Sequence, residues 1–260
     1  MNGYGYSWLQ SDGRLFWARS KHPLDSPQFC SESESSVTRL IAGLYRLDPR
    51  WARKRVRNRI YSTEPLSESA WGTVKVAARR VVFSVPDFEG GFPIDAVELS
   101  GEHSTADSAL EPGVSQKLMG LRLSDAGDIW AFLDGLILQG QEDLGMTLSL
   151  PVSAVLLDTE GRVLSWGVNS AWDFRTEHAE TNLIQRWRRA GSPGVPASLW
   201  VTRKCCKMCA GWIWDTWLKD KPEGSVLIRF REPDNGPLAR LTVLDTGSFE
   251  NLRARLIPKA

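Results

Sequence analysis

The amino-acid sequence predicts an α/β fold over residues 118–260, preceded by a small α+β part over residues 1–110. Three observations carry this expectation. Strand-like runs "VSAVLLD", "RVLSWGV", "SLWVT" and "SVLIRF" alternate with stretches of helical spacing in the second half. The stretch "GEHSTADSALEPGVSQ" (101–116) is small, polar and punctuated by Gly and Pro, which marks a linker. With 260 residues, 42% of them hydrophobic, the chain exceeds the usual single domain and has apolar material for two compact units.

In the N-terminal part, "SESSVTRLIAGLYRL" places Val37, Leu40, Ile41 and Leu44 at i, i+3, i+4 and i+7, an amphipathic helix that Pro49 ends or kinks. "TVKVAARRVVFSV" and "IDAVELS" read as strands, and neither a catalytic motif nor a repeat is legible there. After the linker, "SDAGDIWAFLDGLILQGQ" offers Ser124 or Asp125 as N-cap and Ile129, Trp130, Leu133, Leu136 and Ile137 as an apolar stripe. "VSAVLLD" and "RVLSWGV" flank "TEG" as a β-hairpin. A helix from His178, the strand "SLWVT", a helix from Cys206 and the strand "SVLIRF" follow. "RLTVLDT" is expected as a fifth strand and "FENLRARL" as a terminal helix.

Two short segments carry the chemistry, "TEHAETN" around His178 and "KCCKMCAG" around Cys206. If each opens a helix, His178 and Glu180 project from one first turn, while Cys206 and Cys209 lie one turn apart on the other. Helix N-termini favour thiolate over thiol and so favour metal binding. His178, Cys206 and Cys209 are the candidate zinc ligands, with the fourth position open for water. Glu180, not itself a ligand, is the candidate catalytic proton carrier. By itself a Cys-x-x-Cys pair is also compatible with a redox couple, half of a structural zinc site, or two buried small residues.

The combination resembles the zinc-dependent cytidine/deoxycytidylate deaminase superfamily. His178-Ala179-Glu180 fits its H-x-E motif, and Cys206 to Gly211 resembles the "MCAG" form of tRNA adenosine deaminases and guanine deaminases. The likeness runs over about residues 125–245. It implies a three-layer α/β/α sandwich, hydrolytic deamination of a nucleobase and a Zn2+ cofactor. It also implies that Asn169 in "GVNSAW" contacts the substrate, that the backbone near Ala179 lines the pocket, and that Trp172 and Phe174 lie on a loop bordering the base. The sequence departs from the pattern at Cys205, which stands where Pro is usual, and at Lys204, which stands where Glu is common; a third thiol is thereby brought near the ligands.

Composition sets further expectations. The net charge of +1 does not demand a nucleic-acid partner. Locally, however, "RWARKRVRNR" (50–59) holds six basic residues and no acid, and on a helix Arg50, Arg53, Lys54 and Arg57 would share a face suited to phosphates or to plain solvation. "RWRR" (186–189), Arg203 and Lys204 add positive charge near the expected pocket. Three of the four cysteines cluster on one motif, which implies a reducing, cytoplasmic setting and not a disulfide frame. No apolar run is long enough for a membrane span and no leader is evident. The resulting expectation is a deaminase of cytosine or adenine within RNA or single-stranded DNA, with free bases, nucleosides or nucleotides, or a non-catalytic zinc-containing binding module, as alternatives and the oligomeric state open.

Overall fold

A computed structural model describes residues 5–20, 35–78, 82–84, 92–99, 118–144, 150–169, 175–218 and 226–232. Two mixed sheets organise them. In spatial order the first has Val82–Ser84, Ile60–Ser62, Tyr6–Ser11, Arg14–Arg19 and Val97–Glu98, and the second Val163–Val168, Ser153–Leu157, Ser198–Arg203 and Leu227–Glu232.

In the C-terminal sheet, β6 (Ser153–Leu157) and β7 (Val163–Val168) form the expected antiparallel hairpin. At its turn Gly161 has φ 75°, and a Cβ there would lie 2.5 Å from the Leu123 carbonyl, so both conformation and space call for glycine. β8 (Ser198–Arg203) joins β6 antiparallel, and β9 (Leu227–Glu232) lies parallel beside β8.

Both faces of β6 are buried, which explains its continuous apolar run. Ala154 and Leu156 meet helices α5 (Ala179–Arg189) and α6 (Lys207–Ile213) through Leu183, Ile184, Met208 and Ile213. Val155 and Leu157, on the other face, meet α4 (Ala126–Leu144) through Ile129, Leu133 and Leu136. Trp130, a member of the expected α4 stripe, sits at its margin against Trp200. The segments "RLTVLDT" and "FENLRARL" and the 101–116 linker lie outside the described residues.

The N-terminal sheet opens with a hairpin absent from the sequence expectation. β1 (Tyr6–Ser11) and β2 (Arg14–Arg19) pair through Asp12 and Gly13, both at positive φ (53° and 74°). This Asp-Gly pair between alternating apolar positions is a strong short-range hairpin signal. β3 (Ile60–Ser62) pairs antiparallel with β1, β4 (Val82–Ser84) parallel with β3, and β5 (Val97–Glu98) parallel with β2.

Helix α1 (Ser36–Leu47) follows the expected stripe: Val37, Leu40, Ile41 and Leu44 pack on Leu9, Phe16 and Ile60. A second helix, α2 (Pro49–Arg55), starts anew because Asp48 accepts hydrogen bonds from the Arg50 and Trp51 amides and Pro49 suits the first helical position.

"TVKVAARRVVFSV" is corrected by the structure. Among its described residues Val82–Ser84 is the strand; Ser67 caps α3 (Glu68–Thr73), which runs on as a π-helical turn, Val74–Ala78. Val74, Ala77 and Ala78 bury into the core at helical spacing, so tertiary packing overrides β-propensity. Helix α3 lies against α6 at backbone contact, and the Asp215 carboxylate accepts from the Ser69 amide at 2.8 Å. The N-terminal part thus touches the helix that carries the cysteines.

Candidate metal centre and active site

The imidazole is placed by the end of β7. There Gly167 lets α5 approach to backbone contact, for a Cβ would sit 2.2 Å from the Ala179 carbonyl. Asn169 Oδ1 accepts from the Ala179 amide at 2.8 Å, and Asn182 Nδ2 donates to the Val168 carbonyl at 2.8 Å. These bonds fix the start of α5 to the strand. His178 is the N-cap in extended backbone, φ −84° and ψ 163°, and its amide donates to Thr181 Oγ1.

Cys206 is likewise the N-cap of α6, φ −77° and ψ 174°, with Cys209 one turn on. His178 Nδ1 lies 3.4 Å from each sulfur, and the sulfurs lie 3.6 Å apart. Tetrahedral zinc, with bonds of about 2.3 Å to sulfur and about 2.0 Å to nitrogen, requires edges of roughly 3.5 Å for S to N and roughly 3.8 Å for S to S. The donor triangle therefore fits zinc in both chemistry and size. Among the described residues it is the group of three metal-ligating side chains that converges.

Without metal the site is electrostatically tense. Hydrogen bonding from Cys209, against the cost of burial, holds the Cys206 thiol well below its usual range, while burial pushes Cys209 up. Burial alone would lower His178, but the adjacent Cys206 thiolate more than offsets it and raises the imidazole to about 9. Glu180 is buried and rises to about 7, through burial first and the Cys206 charge second. A carboxyl group near neutrality beside a metal triangle can both take and give a proton.

Other expected site residues fare differently. Asn169 stands beside the site with its side chain engaged at both ends, since Nδ2 also donates to the Leu150 carbonyl at 3.2 Å. Ala179 is buried at the first turn. Trp172 and Phe174 lie outside the described residues. Cys205 is buried next to the ligands but is not part of the triangle.

The basic residues divide. Arg186 stacks on Trp166 at 3.8 Å and donates to its carbonyl, and Arg188 is buried and bonds Thr216. Those two charges serve packing. On α2, Arg50 and Lys54 are exposed and Arg53 is half-buried, whereas the helix ends at Arg55 and leaves exposed Arg57 in the following turn.

One ion pair had no signal in the sequence. Arg46, near the end of α1, reaches Glu177 at 3.7 Å, immediately before His178, and Glu177 is 2% exposed. Its two members come from opposite halves of the chain.

Residues 149–255 match the family model of the Bd3614-like deaminases. Solved structures give partial likeness only. One is a guanine deaminase from Nitrosomonas europaea, with 16% identity over 47% of this chain and 86% of that chain and a TM-score of 0.35. Another is a guanine deaminase from Bacillus subtilis, with 19% identity over 40% and 63% and a TM-score of 0.30; the chain thus spans less than two thirds of that protein. A deaminase studied for A-to-I editing at the wobble position of transfer RNA gives 25% identity over 42% and 75%, with a TM-score of 0.29. No curated protein sequence matches. The His-x-Glu and Cys-x-x-Cys segments, brought to one point by the fold, both lie inside the region that matches the Bd3614-like deaminase model.

Proposed function

We propose that this protein is a zinc-dependent hydrolytic deaminase of a nucleobase, cytosine or adenine, presented within RNA or single-stranded DNA. The observation that carries the reading is the buried, non-ligating Glu180 beside the His178, Cys206 and Cys209 triangle. A purely structural zinc site has no use for that carboxyl group. His178, Cys206 and Cys209 would hold the zinc, which when bound would supply activation of a water at neutral pH.

Glu180 takes a proton from the attacking water and delivers it to the ring nitrogen and then to the departing amine. Water adds at the amino-bearing carbon, ammonia leaves, and a carbonyl remains. The hydrogen bonds of Asn169 and Asn182 hold the first turn of α5, so that His178 and Glu180 keep their mutual geometry through the cycle. The polymeric substrate rests on the exposed Arg50, Lys54 and Arg57, a phosphate-suited group.

The test is ammonia release by zinc-loaded protein from a panel of free nucleosides, nucleotides and single-stranded oligomers, with Glu180→Ala as control. Release from an oligomer and not from its free nucleoside is expected. Turnover confined to free nucleosides would move the substrate to small molecules, and none on any member would defeat the enzymatic reading.

A further inference from the structure

The N-terminal sheet repeats the C-terminal one. In each, an antiparallel hairpin is followed by a helix, a third strand antiparallel to the first, a short helix passing into a π-helical turn, and a fourth strand parallel to the third. The spatial orders β2-β1-β3-β4 and β7-β6-β8-β9 are the same. Among the described residues the N-terminal half has in addition β5 at the edge and α2 between α1 and β3.

The helix starts correspond residue by residue. Ser35 caps α1 at φ −56° and ψ 156°, as His178 caps α5; Ser67 caps α3 at φ −70° and ψ 169°, as Cys206 caps α6. Counted from the caps, Thr38, Leu40 and Ile41 stand where Thr181, Leu183 and Ile184 stand. Each threonine bonds back to its cap residue, Thr38 to Ser35 Oγ and Thr181 to the His178 amide. The four chemical positions have changed: Ser35 for His178, Val37 for Glu180, Ser67 for Cys206 and Ala70 for Cys209. At the start of α1 the Glu64 carboxylate accepts from the Ser36 amide and hydroxyl instead, satisfying helix-end donors without a metal.

The two halves meet reciprocally. A Cβ on Gly72 would lie 2.6 Å from the Lys207 carbonyl and from Met208 Cα; one on Gly211 would lie 2.3 Å from the Glu68 carbonyl and 2.9 Å from Ser69 Cα. Gly72 and Gly211 occupy the same place past their caps, and Glu68-Ser69 and Lys207-Met208 are the matching first residues of α3 and α6. Such a contact, in which i meets j and the equivalent of j meets the equivalent of i, is the signature of a twofold axis.

We infer that the N-terminal half is a second, metal-less copy of the deaminase unit, docked on the first about a pseudo-twofold axis between α3 and α6, and that it serves as the in-chain partner of the cysteine-bearing helix. Its grip extends to the other ligand, because Arg46 on its α1 holds Glu177 next to His178. The inference rests on the proposed zinc centre for the identity of the lost positions, though not for the duplication itself.

Two experiments on the full chain test it. Elemental analysis of wild type should give one zinc per chain, and of Ser35→His/Ser67→Cys/Ala70→Cys two. No zinc in wild type would overturn the metal centre of the proposed function, whereas a folded triple variant that stays at one would overturn the duplication. The second needs no metal and stands if the triple variant fails to fold. His178 Nδ1 and Cys206 Sγ lie 3.4 Å apart, so in metal-free Ser35→Cys/Ser67→Cys the thiols at positions 35 and 67 should be close enough for a short bifunctional thiol reagent such as dibromobimane to bridge them, mapped by peptide mass. Absence of that bridge would also overturn the duplication. For the partner role, Gly72→Ala should speed zinc loss to a chelator about tenfold, as expected when a support behind a ligand is disturbed. An unchanged release rate would remove the role.

Discussion

At the residue scale, the proposed chemistry rests on three donors and one carboxyl group, and each has a separate expected failure. Cys206→Ala should lose the metal by elemental analysis, whereas Cys205→Ala should retain it; the reverse result would move the ligand to Cys205. Glu180→Ala should keep zinc and fold yet lose about a hundredfold to ten-thousandfold or more in turnover, the span of general acid–base catalysis, and near-normal rates would exclude it as proton carrier. The pH dependence of metal binding has a definite sign. The metal-free site carries protons on His178, raised to about 9, and on Cys209, pushed up by burial, while the ligating forms carry none. Binding therefore expels protons, and affinity should climb with pH between about 6 and 8, by roughly one to two logarithmic units per pH unit. Competition against a chelator of known pH behaviour would read this, and a flat profile would contradict it. These residues were legible because ligand chemistry constrains both residue type and spacing. Arg46 was not, since an ion pair across the chain leaves no local pattern, and Glu177 had no visible partner until α1 was placed.

At the scale of elements, close backbone approach decides how accurately the helix starts are held. Gly167→Ala would put a methyl group 2.2 Å from the Ala179 carbonyl and 2.7 Å from the Leu183 amide. Such overpacking typically costs about 1–3 kcal/mol, so a lower Tm and weaker zinc retention are expected together. Gly135→Ala provides the opposite sign. It lies exposed within α4 with nothing within 4 Å of the added carbon, and should stabilise by about 0.5–1 kcal/mol in denaturant titration. Equal responses at the two glycines would refute the packing argument. Helices α1 and α4 could be read from periodicity because each buries a regular face, β6 and β7 from apolar runs buried on both faces, and α5 and α6 from the motifs that open them. Helix α3 could not, because "TVKVAA" has the composition of a strand and becomes helical through its Ser67 cap and its dock on α6. The Asp12-Gly13 turn is plain in the sequence, whereas the neighbouring β3 and β5 are too short for any alternation to show.

At the scale of the molecule, the duplication stayed hidden because sequence similarity survives only at a few helix-start positions, while strand pairing carries the rest. Among the described residues no helix is long and apolar enough to cross a membrane. The remaining question is what the N-terminal half presents to a substrate. Arg46 touches Glu177 beside His178, and Arg50 lies four residues further on, so its Cα is within about 14 Å of that of Arg46 even for an extended chain. A strand whose base enters the site would pass its phosphates near Arg50, Lys54 and Arg57, all exposed, with half-buried Arg53 behind them. Each phosphate held by a basic side chain releases condensed counterions, so Arg50→Gln/Arg53→Gln/Lys54→Gln/Arg57→Gln should weaken oligonucleotide binding and flatten its dependence on log salt by roughly 0.7 units for each phosphate no longer held. Zinc content should not change, because none of the four is a ligand. The measurement is binding of a single-stranded oligomer across a salt series, wild type against variant. If slope and affinity stay as they were, α2 is a solvated face and the substrate is a small molecule, whereas a flattened slope with intact zinc assigns the polymer to this surface.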